Sequence, residues 1–347
     1  MSLRLGLLST AQINEMILRG AQTTPRVEVV AVASRGRERA ERYARLHRLP
    51  RAFGSYEGLL DDPGIDAVYI SLPNSMHVEW TVRALKAGKH VLCEKPLAQG
   101  ADDAKRAFEA ASRSQRVLAE AFMYRHNPQT TRLADLLSEG AIGQLRLMRS
   151  CFRHPTYDKA NIRLSAELAG GSLMDLGCYC VNVARLLAGE PERVYGEQTT
   201  GPSGAEVAFQ GTMRFAGDVV AQIDSSLAAP IRQDLELVGE DGSLRISAPF
   251  RVDLGKPGIE VARGDSVQLI EIEQQDSYGL ELESFADAAE GRNEALPSAE
   301  DSIAQAHVIA CLYESARRGR PINPRHPAMG DLSARGGKAR NAVQELR

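Results

Sequence analysis

The chain has 347 residues with a formal net charge of −3 and an isoelectric point near 6.2. This length exceeds the size at which one hydrophobic core usually stops growing, so two domains are expected. The charge balance gives no basic field for a polyanion, which excludes nucleic acid as the expected partner. The sequence has no membrane-spanning stretch and begins without a signal-peptide pattern, so we expect a cytoplasmic protein that does not bind membranes.

The five cysteines are scattered along the chain and have no histidine at metal-ligand spacing beside them. They are Cys93, Cys151, Cys178, Cys180 and Cys311. This spacing predicts neither a disulfide framework nor a metal site, and we interpret the cysteines as reduced thiols.

The first third of the chain alternates apolar strand-like runs with helical patterns. Strands are predicted at 3–8, 27–33, 65–72, 90–93 and 116–119. Helices are predicted between them at 11–21, 36–47, 77–87 and 101–114. Parallel strands need crossovers that pack on the sheet, so this alternation predicts an α/β Rossmann fold with a doubly wound parallel sheet. Such folds bind ligands beyond the carboxyl ends of their strands.

A different pattern begins near residue 146. Strands with alternating apolar and polar residues are predicted at 205–215, 219–227, 233–239, 242–247 and 267–273. They indicate a large, open-faced and mostly antiparallel sheet, and helices predicted at 280–291 and 298–318 are expected to cover part of it.

These patterns predict three regions. A dinucleotide-binding Rossmann domain spans 1–122, an α+β domain for substrate binding and oligomerisation spans 123–325, and a polar tail spans 326–347. Large uncovered sheet faces commonly become interfaces, so we expect a homodimer or a higher homo-oligomer built on the sheet of the second domain.

The turn after the first strand is poor in glycine. Where dinucleotide-binding folds carry a glycine-rich motif, this chain reads Ser9, Thr10, Ala11, Gln12 and Ile13, with small residues in place of the glycines. Small side chains still let the backbone approach a pyrophosphate, and the start of the next helix attracts an anion. An ordinary strand-to-helix turn is the alternative interpretation.

The second strand ends without the acidic residue that usually holds the ribose 2′-hydroxyl of NAD. Ser34, Arg35 and Arg39 follow it instead. These residues suit a 2′-phosphate, which favours NADP over NAD as the cofactor. The alternative is a solvated basic helix start.

Polar residues also follow the third and fourth strands, at the edge where the fold binds ligands. Leu72, Pro73, Asn74 and His77 follow the third strand, and Glu94, Lys95 and Pro96 follow the fourth. We assign these residues, except Pro96, to the cofactor pocket.

Five stretches in chain order carry a resemblance to a known family. They read GLLSTAQIN, AVASR, YISLPNSMH, AGKHVLCEKPLA and GGSLMDLGCY. Together they resemble the Gfo/Idh/MocA family of NAD(P)-dependent oxidoreductases, and the block AGKHVLCEKP is highly specific. The chain is most similar to the branch of NADP-dependent D-xylose dehydrogenases and dihydrodiol dehydrogenases, because Tyr179 stands where many members have histidine. In the resembling family the peptide bond before Pro96 is cis.

Hydride transfer between a carbinol carbon and nicotinamide requires proton movement at the oxygen. Lys95 can stabilise charge on that oxygen and lower the pKa of a neighbouring phenol, so Tyr179 is predicted to be the acid and base. Asp175 lies one helical turn before Tyr179 on the same face, where its carboxylate would hold Lys95 or a substrate hydroxyl.

Each of these assignments has a structural alternative. Lys95 could be a solvated strand-end residue, Tyr179 a packing residue and His77 a helix-start residue that lines the pocket. Arg125 is placed with the cofactor-binding residues, and its alternatives are a substrate contact or a role in joining the domains. If Tyr179 only packs, the remaining proton donors are His154, Tyr157 and a water held by Asp175.

The sequence therefore predicts an NADP-dependent dehydrogenase or reductase that acts on a sugar or polyol-like alcohol or carbonyl. The family also includes NAD-using glycosidases, which show no net redox change, and a regulatory protein that binds nucleotide without turnover. A sensor has no need of an acid and base, so Lys95, Asp175 and Tyr179 together argue against the regulator.

Overall fold

The computed structural model describes residues 2–324 and divides into two compact units. Unit one contains the chain up to Ala98, then Asp102–Met123 and Asp276–Ser302. Unit two contains Gln99–Ala101, Tyr124–Gln275 and the chain from Ile303 onward. The predicted polar tail, 326–347, lies outside the described residues.

Unit one is built on a parallel sheet. Its strands are β1 (Leu3–Leu8), β2 (Val27–Ala33), β3 (Arg51–Phe53), β4 (Ala67–Ile70), β5 (His90–Glu94) and β6 (Leu118–Ala121). Its first helices are α1 (Asn14–Ala21), α2 (Arg37–His47), α3 (Tyr56–Leu60), α4 (His77–Lys86) and α5 (Ala101–Ser114). The strand order is β3-β2-β1-β4-β5-β6, and all five pairings are parallel. This order confirms the predicted doubly wound fold.

The strands of unit one are apolar because the sheet is covered on both faces. All four residues of β4, AVYI, are buried, as are the last four of β2. The strand order reverses between β1 and β4, which is the topological switch point where such folds bind ligands. Strand β3 and helix α3 were not predicted, because elements of three and five residues are too short to show a period.

Unit two contains a second, larger sheet. Its elements in chain order are α6 (Pro128–Ser138), β7 (Leu145–Arg153), α7 (Cys178–Ala188), β8 (Arg193–Thr200), β9 (Glu206–Arg214), β10 (Val220–Ser226), β11 (Arg232–Gly239), β12 (Ser243–Ile246), β13 (Gly258–Arg263) and β14 (Ser266–Glu271). The strand order is β14-β13-β12-β11-β7-β10-β9-β8. The pairing of β7 with β10 is parallel and the other pairings are antiparallel, so the mostly antiparallel sheet is confirmed.

The sheet of unit two has one apolar face and one polar face. Along β9, Phe209 and Met213 are buried while Gln210 and Thr212 between them are exposed. Strands β7, β8 and β13 were not predicted. In β7, for example, Arg149 and Arg153 interrupt an apolar run and hide the alternation that marks a half-buried strand.

The last two helices, α8 (Ser277–Ala289) and α9 (Ala299–Arg318), were both expected to cover the sheet of unit two. The structure corrects this expectation for α8, which packs on α1 in unit one. Unit one therefore continues beyond the predicted boundary at residue 122.

Two glycines allow the close contact between α1 and α8. A Cβ atom on Gly20 would lie 2.7 Å from the backbone nitrogen of Gly279, and one on Gly279 would lie 2.1 Å from Oγ1 of Thr23. An ion pair of 2.8 Å between Arg19 and Asp276 joins the same helices. The sequence shows that α8 is amphipathic, but only the distant glycine partner decides which surface it covers.

In the part of the chain that the structure describes, no helix combines the length and the apolar character needed to cross a membrane.

Candidate active site

The turn after β1 is held by a buried network of hydrogen bonds. The hydroxyl of Ser9 accepts from the amide of Ala11 at 3.0 Å and lies 2.7 Å from the hydroxyl of Ser71. Ser71 donates to the side chain of Asn14 at 2.6 Å, and Asn14 donates to the carbonyl oxygen of Ser9 at 2.9 Å. The network ties the ends of β1 and β4 to the start of α1. It gives the glycine-poor turn a defined shape at the switch point.

The end of β2 presents two arginines beside this turn. Arg35 and Arg39 are exposed, and Nε of Arg39 donates to Oγ1 of Thr10 at 2.7 Å. Burial raises the pKa of the Tyr56 phenol, while the charges of Arg35 and Arg39 act to lower it, so both guanidinium groups lie near that ring. Ser34 is buried, and its amide donates to the carbonyl oxygen of Phe53 at 3.1 Å. The structure thus brings Arg35, Arg39 and the first turn together.

His77 connects the loops that follow β4 and β5. Its side chain is buried, Nδ1 lies 2.9 Å from the carbonyl oxygen of Pro96, and Nε2 lies 2.8 Å from that of Leu72. Burial lowers the pKa of the imidazole, which outweighs the opposing effect of the two carbonyls. Both ring nitrogens are thus occupied by main-chain groups. The cofactor assignments of His77, Leu72, Pro73 and Asn74 stay predictions.

The main chain around Lys95 is fixed on both sides by buried or half-buried carboxylates. Glu94 accepts a hydrogen bond from the hydroxyl of Tyr69 and another, at 3.2 Å, from the amide of Lys95. Two residues after Lys95, the amide of Leu97 donates to Glu120 at 2.8 Å. The Lys95–Pro96 peptide bond is cis, as the family resemblance implies. The Glu94 side chain is thus engaged by its own turn.

A second buried carboxyl group, Glu281 of α8, lies close enough to Glu94 to affect its own ionisation. Its side chain is buried, and among the described residues its Oε1 has no hydrogen-bond partner. Burial, with a smaller contribution from the charge of Glu94, raises the pKa of Glu281 well above its ordinary value. Sequence reasoning missed Glu281 and Glu120, because a helical glutamate and a glutamate in a short strand carry no local sign of burial.

In unit two, Asp175 lies on a π-helical turn, Leu173–Gly177, that leads directly into α7. The predicted α-helical spacing between Asp175 and Tyr179 needs correction here, because a π turn closes i→i+5 hydrogen bonds. The carboxylate of Asp175 accepts from Nε of Arg163 at 2.6 Å. Arg163 was missed from sequence, since it lies in a loop that has no periodic pattern.

Tyr179 is packed among aromatic rings. Its ring centroid lies 5.9 Å from that of Tyr124, 5.5 Å from Phe152 and 5.4 Å from Phe250. Aromatic contacts of this kind add stability beyond area burial, and they also restrict the motion of the ring. A packing residue and a positioned acid both fit this arrangement.

The remaining candidates of unit two differ in exposure. Arg125 is only 1% exposed, and its guanidinium donates to the side chain of Asn182 at 3.4 Å, so it lies in the interior of unit two. Its assignment to the cofactor stays a prediction. Tyr157 is 88% exposed, and His154 is exposed with its amide bonded to the carbonyl oxygen of Ser226 at 2.9 Å.

The described residues contain no group of three or more His, Cys, Asp or Glu side chains arranged to hold a metal ion.

Two family models match the chain. A model described as "Oxidoreductase family, NAD-binding Rossmann fold" matches residues 4–122. A model described as "GFO/IDH/MocA C-terminal domain" matches residues 130–245.

Individual relatives extend the similarity over most of the chain. A D-xylose 1-dehydrogenase (NADP(+)) of Haloferax volcanii is 37% identical over 320 residues, which cover 91% of this chain and 98% of the relative. A trans-1,2-dihydrobenzene-1,2-diol dehydrogenase of Xenopus laevis is 34% identical over 250 residues, which cover 71% of this chain and 76% of the relative.

Among solved structures, a 3-ketoreductase from Actinomadura kijaniata in complex with NADP and TDP-benzene has a TM-score of 0.86 and 30% sequence identity. The match covers 91% of this chain and 98% of that enzyme.

Replacing Glu281 by glutamine tests the buried carboxyl group. A raised folded-state pKa means that the native protein holds this proton more tightly than the unfolded chain, whose value is near 4.5. The resulting stability is fully present below that value and is lost as pH rises towards the folded-state pKa. Residue 281 cannot titrate in the Glu281→Gln variant, so the free energy of unfolding of this variant relative to the unsubstituted protein should increase as the pH rises above about 4.5.

Urea denaturation at several pH values measures this difference. Glu283→Gln, at a half-buried position on the same helix, is the matched control. A constant difference for Glu281→Gln would show that Glu281 is ionised in the native protein.

Proposed function

Because the chain belongs to the Gfo/Idh/MocA family of oxidoreductases, we propose that it is an NADP-dependent dehydrogenase or reductase acting on an alcohol or carbonyl group of a sugar or polyol-like substrate. The observation that carries this proposal is the turn at Lys95. Its lysine follows a buried parallel strand at the ligand-binding edge of the sheet, and carboxylates bind the main chain on both sides of it.

Bound NADP would supply or accept the hydride. The protein must then move a proton to or from the substrate oxygen and stabilise the charge that develops there. Lys95 fits the second task, because an ammonium group donates hydrogen bonds and carries the opposite charge. The two flanking carboxylates hold the main chain from which this side chain extends.

We assign the proton transfer to Tyr179. Three aromatic rings surround its ring, and a catalytic acid must be held in one position to act in the transition state. Asp175 would bind a substrate hydroxyl through its carboxylate, which Arg163 already orients at 2.6 Å. A neutral, hydroxyl-rich substrate suits this pair better than an anionic one, since the carboxylate would repel a second negative charge.

The cofactor preference follows from the end of β2. Arg35 and Arg39 are exposed beside the first turn, where they would hold the 2′-phosphate of NADP, with Ser34 nearby. The turn from Ser9 to Ile13 would face the pyrophosphate, because α1 begins without a side-chain cap and its N-terminus favours an anion.

The names of the relatives support this assignment. The Haloferax enzyme is named for NADP and D-xylose, and the Actinomadura ketoreductase was crystallised with NADP. Structures of that ketoreductase also include two variants of a lysine and one of a tyrosine. We expect the choice of sugar or polyol to depend on the loops of unit two.

We also propose that the polar face of the unit-two sheet forms a homodimer. A cavity of about 730 Å³ lies on this face. Its charges are balanced by ion pairs between neighbouring strands, which are Arg149–Glu236 at 3.0 Å, Arg153–Asp224 at 2.5 Å and Arg245–Asp234 at 2.8 Å. A face with equal numbers of positive and negative side chains can pack against a copy of itself without net electrostatic repulsion. A twofold interface requires this, because the same face meets itself.

A cytoplasmic location is consistent with the cysteines. All five are free thiols and all are buried, and unpaired cysteines are the rule in a reducing compartment.

Two substitutions test the catalytic assignment. Tyr179→Phe removes only the phenolic oxygen, so kcat should fall by about 10²- to 10⁴-fold while NADPH affinity changes little. Lys95→Met should reduce kcat at least as much, because it removes the ammonium group that would donate a hydrogen bond to the substrate oxygen and stabilise its developing charge. The two effects should be strongly non-additive, since both residues would act on one oxygen.

The assay follows nicotinamide absorbance over a panel of sugars and polyols. Lys86→Met, an exposed lysine at the end of α4, is the control and should keep full activity. If Tyr179→Phe keeps normal kcat, Tyr179 is a packing residue and Tyr157→Phe and His154→Gln become the next variants. Tight cofactor binding with hydrolysis of a glycoside and no net redox change would identify the NAD-using glycosidase instead.

A third substitution tests the cofactor preference. Arg35→Ala removes a charge-assisted hydrogen bond to the 2′-phosphate, so NADPH affinity should fall roughly 10- to 100-fold and NADH affinity should barely change. Fluorescence titration with both nucleotides measures this. Arg42→Ala, at an exposed arginine of the following helix α2, should leave both affinities unchanged. Equal weakening towards NADPH and NADH would reject the NADP assignment.

Light scattering tests the dimer. The protein at micromolar concentration should have twice the chain mass of 37.7 kDa. Gln222→Arg adds a long cation in the middle of the polar face, between Arg149 and Thr212 on the neighbouring strands, and should shift the mass towards the monomer. A monomer before any substitution would exclude this interface.

A further inference from the structure

The π-helical turn Leu173–Gly177 has an end that its own sequence does not cap. Ser172 stands at the N-cap position, yet its side chain makes no capping hydrogen bond to the turn. The first amides of a helix need partners, so another part of unit two has to provide them. Single π turns are rare and occur mostly at functional sites, and this one carries Asp175 and leads to Tyr179.

Glu206, the first residue of β9, satisfies the N-terminal end. Its Oε2 accepts from the amide of Leu173 at 2.9 Å and from the hydroxyl of Tyr313 at 3.1 Å, and its Oε1 accepts from the hydroxyl of Ser172. Glu206 is only 7% exposed, so these bonds replace its contacts with water. A carboxylate is also the group that the positive end of a helix favours.

Gly171 makes this approach possible. A Cβ atom there would lie 3.0 Å from Oε2 of Glu206 and 3.0 Å from the hydroxyl of Tyr313, and the φ angle of +129° favours glycine. The second glycine of the GGSLMDLGCY stretch is therefore explained by Glu206.

Gln305 of α9 satisfies the C-terminal end. Its Nε2 donates at 2.8 Å to the carbonyl oxygen of Cys178, the residue at which the π turn gives way to α7. This hydrogen bond ties the main chain at the junction of the π turn and α7 to α9. Gln305 is 1% exposed, and its Oε1 accepts from Arg185 at 3.0 Å, so its amide orientation is defined.

We propose that Glu206 and Gln305 are positioning residues that hold the π turn at its two ends and thereby set the positions of Asp175 and Tyr179. Both act through main-chain groups and need no contact with substrate. Helix α9 contributes to both ends, since Gln305 and Tyr313 lie about two turns apart on one of its faces. This inference rests on the proposed catalytic role of Tyr179.

Isosteric substitutions test the two contacts. Gln305→Glu keeps an acceptor for Arg185 and loses the donor to Cys178. Glu206→Gln keeps the shape of the side chain but replaces one acceptor oxygen with an amide NH2 group. That group donates, as do its three neighbours, the amide of Leu173 and the hydroxyls of Ser172 and Tyr313. Ser315→Ala is the matched control, because this fully buried residue of α9 bonds the amide of Gly196 at 3.1 Å and the carbonyl oxygen of Arg320 at 2.7 Å, away from the π turn.

The first measurement is independent of catalysis. Amide hydrogen exchange, followed by mass spectrometry, should be faster over residues 172–180 in Glu206→Gln and Gln305→Glu than in the unsubstituted protein. Exchange over the same residues should be unchanged in Ser315→Ala. Unchanged exchange in the two test variants would overturn the proposal.

The second measurement separates positioning from general stability. In Glu206→Gln and Gln305→Glu, kcat on the best substrate should fall about 10- to 100-fold, because small displacements of catalytic groups are costly. The NADPH dissociation constant should stay within about twofold, and Ser315→Ala should keep both values. Test variants with the kcat of Ser315→Ala would overturn the proposal.

Two further variants keep the result interpretable. If Glu206→Gln does not fold, Tyr313→Phe replaces it as the test variant, because it removes one of the hydroxyls that donate to the Glu206 carboxylate. Amide exchange should again be faster and kcat lower, but both changes should be smaller. Tyr179→Phe is assayed in parallel. Normal kcat in Tyr179→Phe would refute the proposed function, and the exchange data would then decide alone whether Glu206 and Gln305 hold the turn.

Discussion

Hydrogen bonds that main-chain amides donate to buried or half-buried carboxylates fix the two turns that carry the candidate catalytic residues. In unit one, Glu94 binds the amide of Lys95 and Glu120 binds that of Leu97. In unit two, Glu206 binds the amide of Leu173 at the start of the π turn. A carboxylate in a low-dielectric interior forms strong bonds to amides, because no water competes for either partner. Turns that would otherwise be flexible loops thereby acquire defined positions.

This arrangement concentrates acidic groups in the interior, and their ionisation differs with their partners. Burial raises the pKa of Glu206, although its hydrogen bonds to Ser172, Leu173 and Tyr313 oppose that effect. The pKa of Glu281 is raised further, because burial and the nearby Glu94 both act against its ionisation. The raised pKa of Glu281 thus favours the neutral form of this carboxyl group near Glu94.

The candidate turns of the two units differ in backbone structure. Unit one uses the carboxyl end of a parallel strand, followed by a cis peptide bond at Lys95–Pro96. Unit two uses a π turn at the start of a helix, where Gly171 lets a carboxylate approach. Both turns carry a candidate catalytic residue, and in both a main-chain amide donates to a carboxylate distant in sequence, Glu120 for Leu97 and Glu206 for Leu173. Those distant residues are therefore as necessary to the turn as its own sequence.

The sequence by itself determined the Rossmann fold of unit one, because continuous apolar strands alternate there with helices at regular spacing. The sequence also identified the candidate catalytic residues Lys95, Asp175 and Tyr179 and the candidate cofactor-binding arginines after β2, since each belongs to a local motif. Only the tertiary structure decided that α8 packs on α1, that Arg163 binds Asp175, and that Glu206 and Gln305 hold the π turn. These contacts join residues far apart in the chain. A local pattern records which side of an element is apolar, but the identity of its distant partner depends on how the whole chain packs.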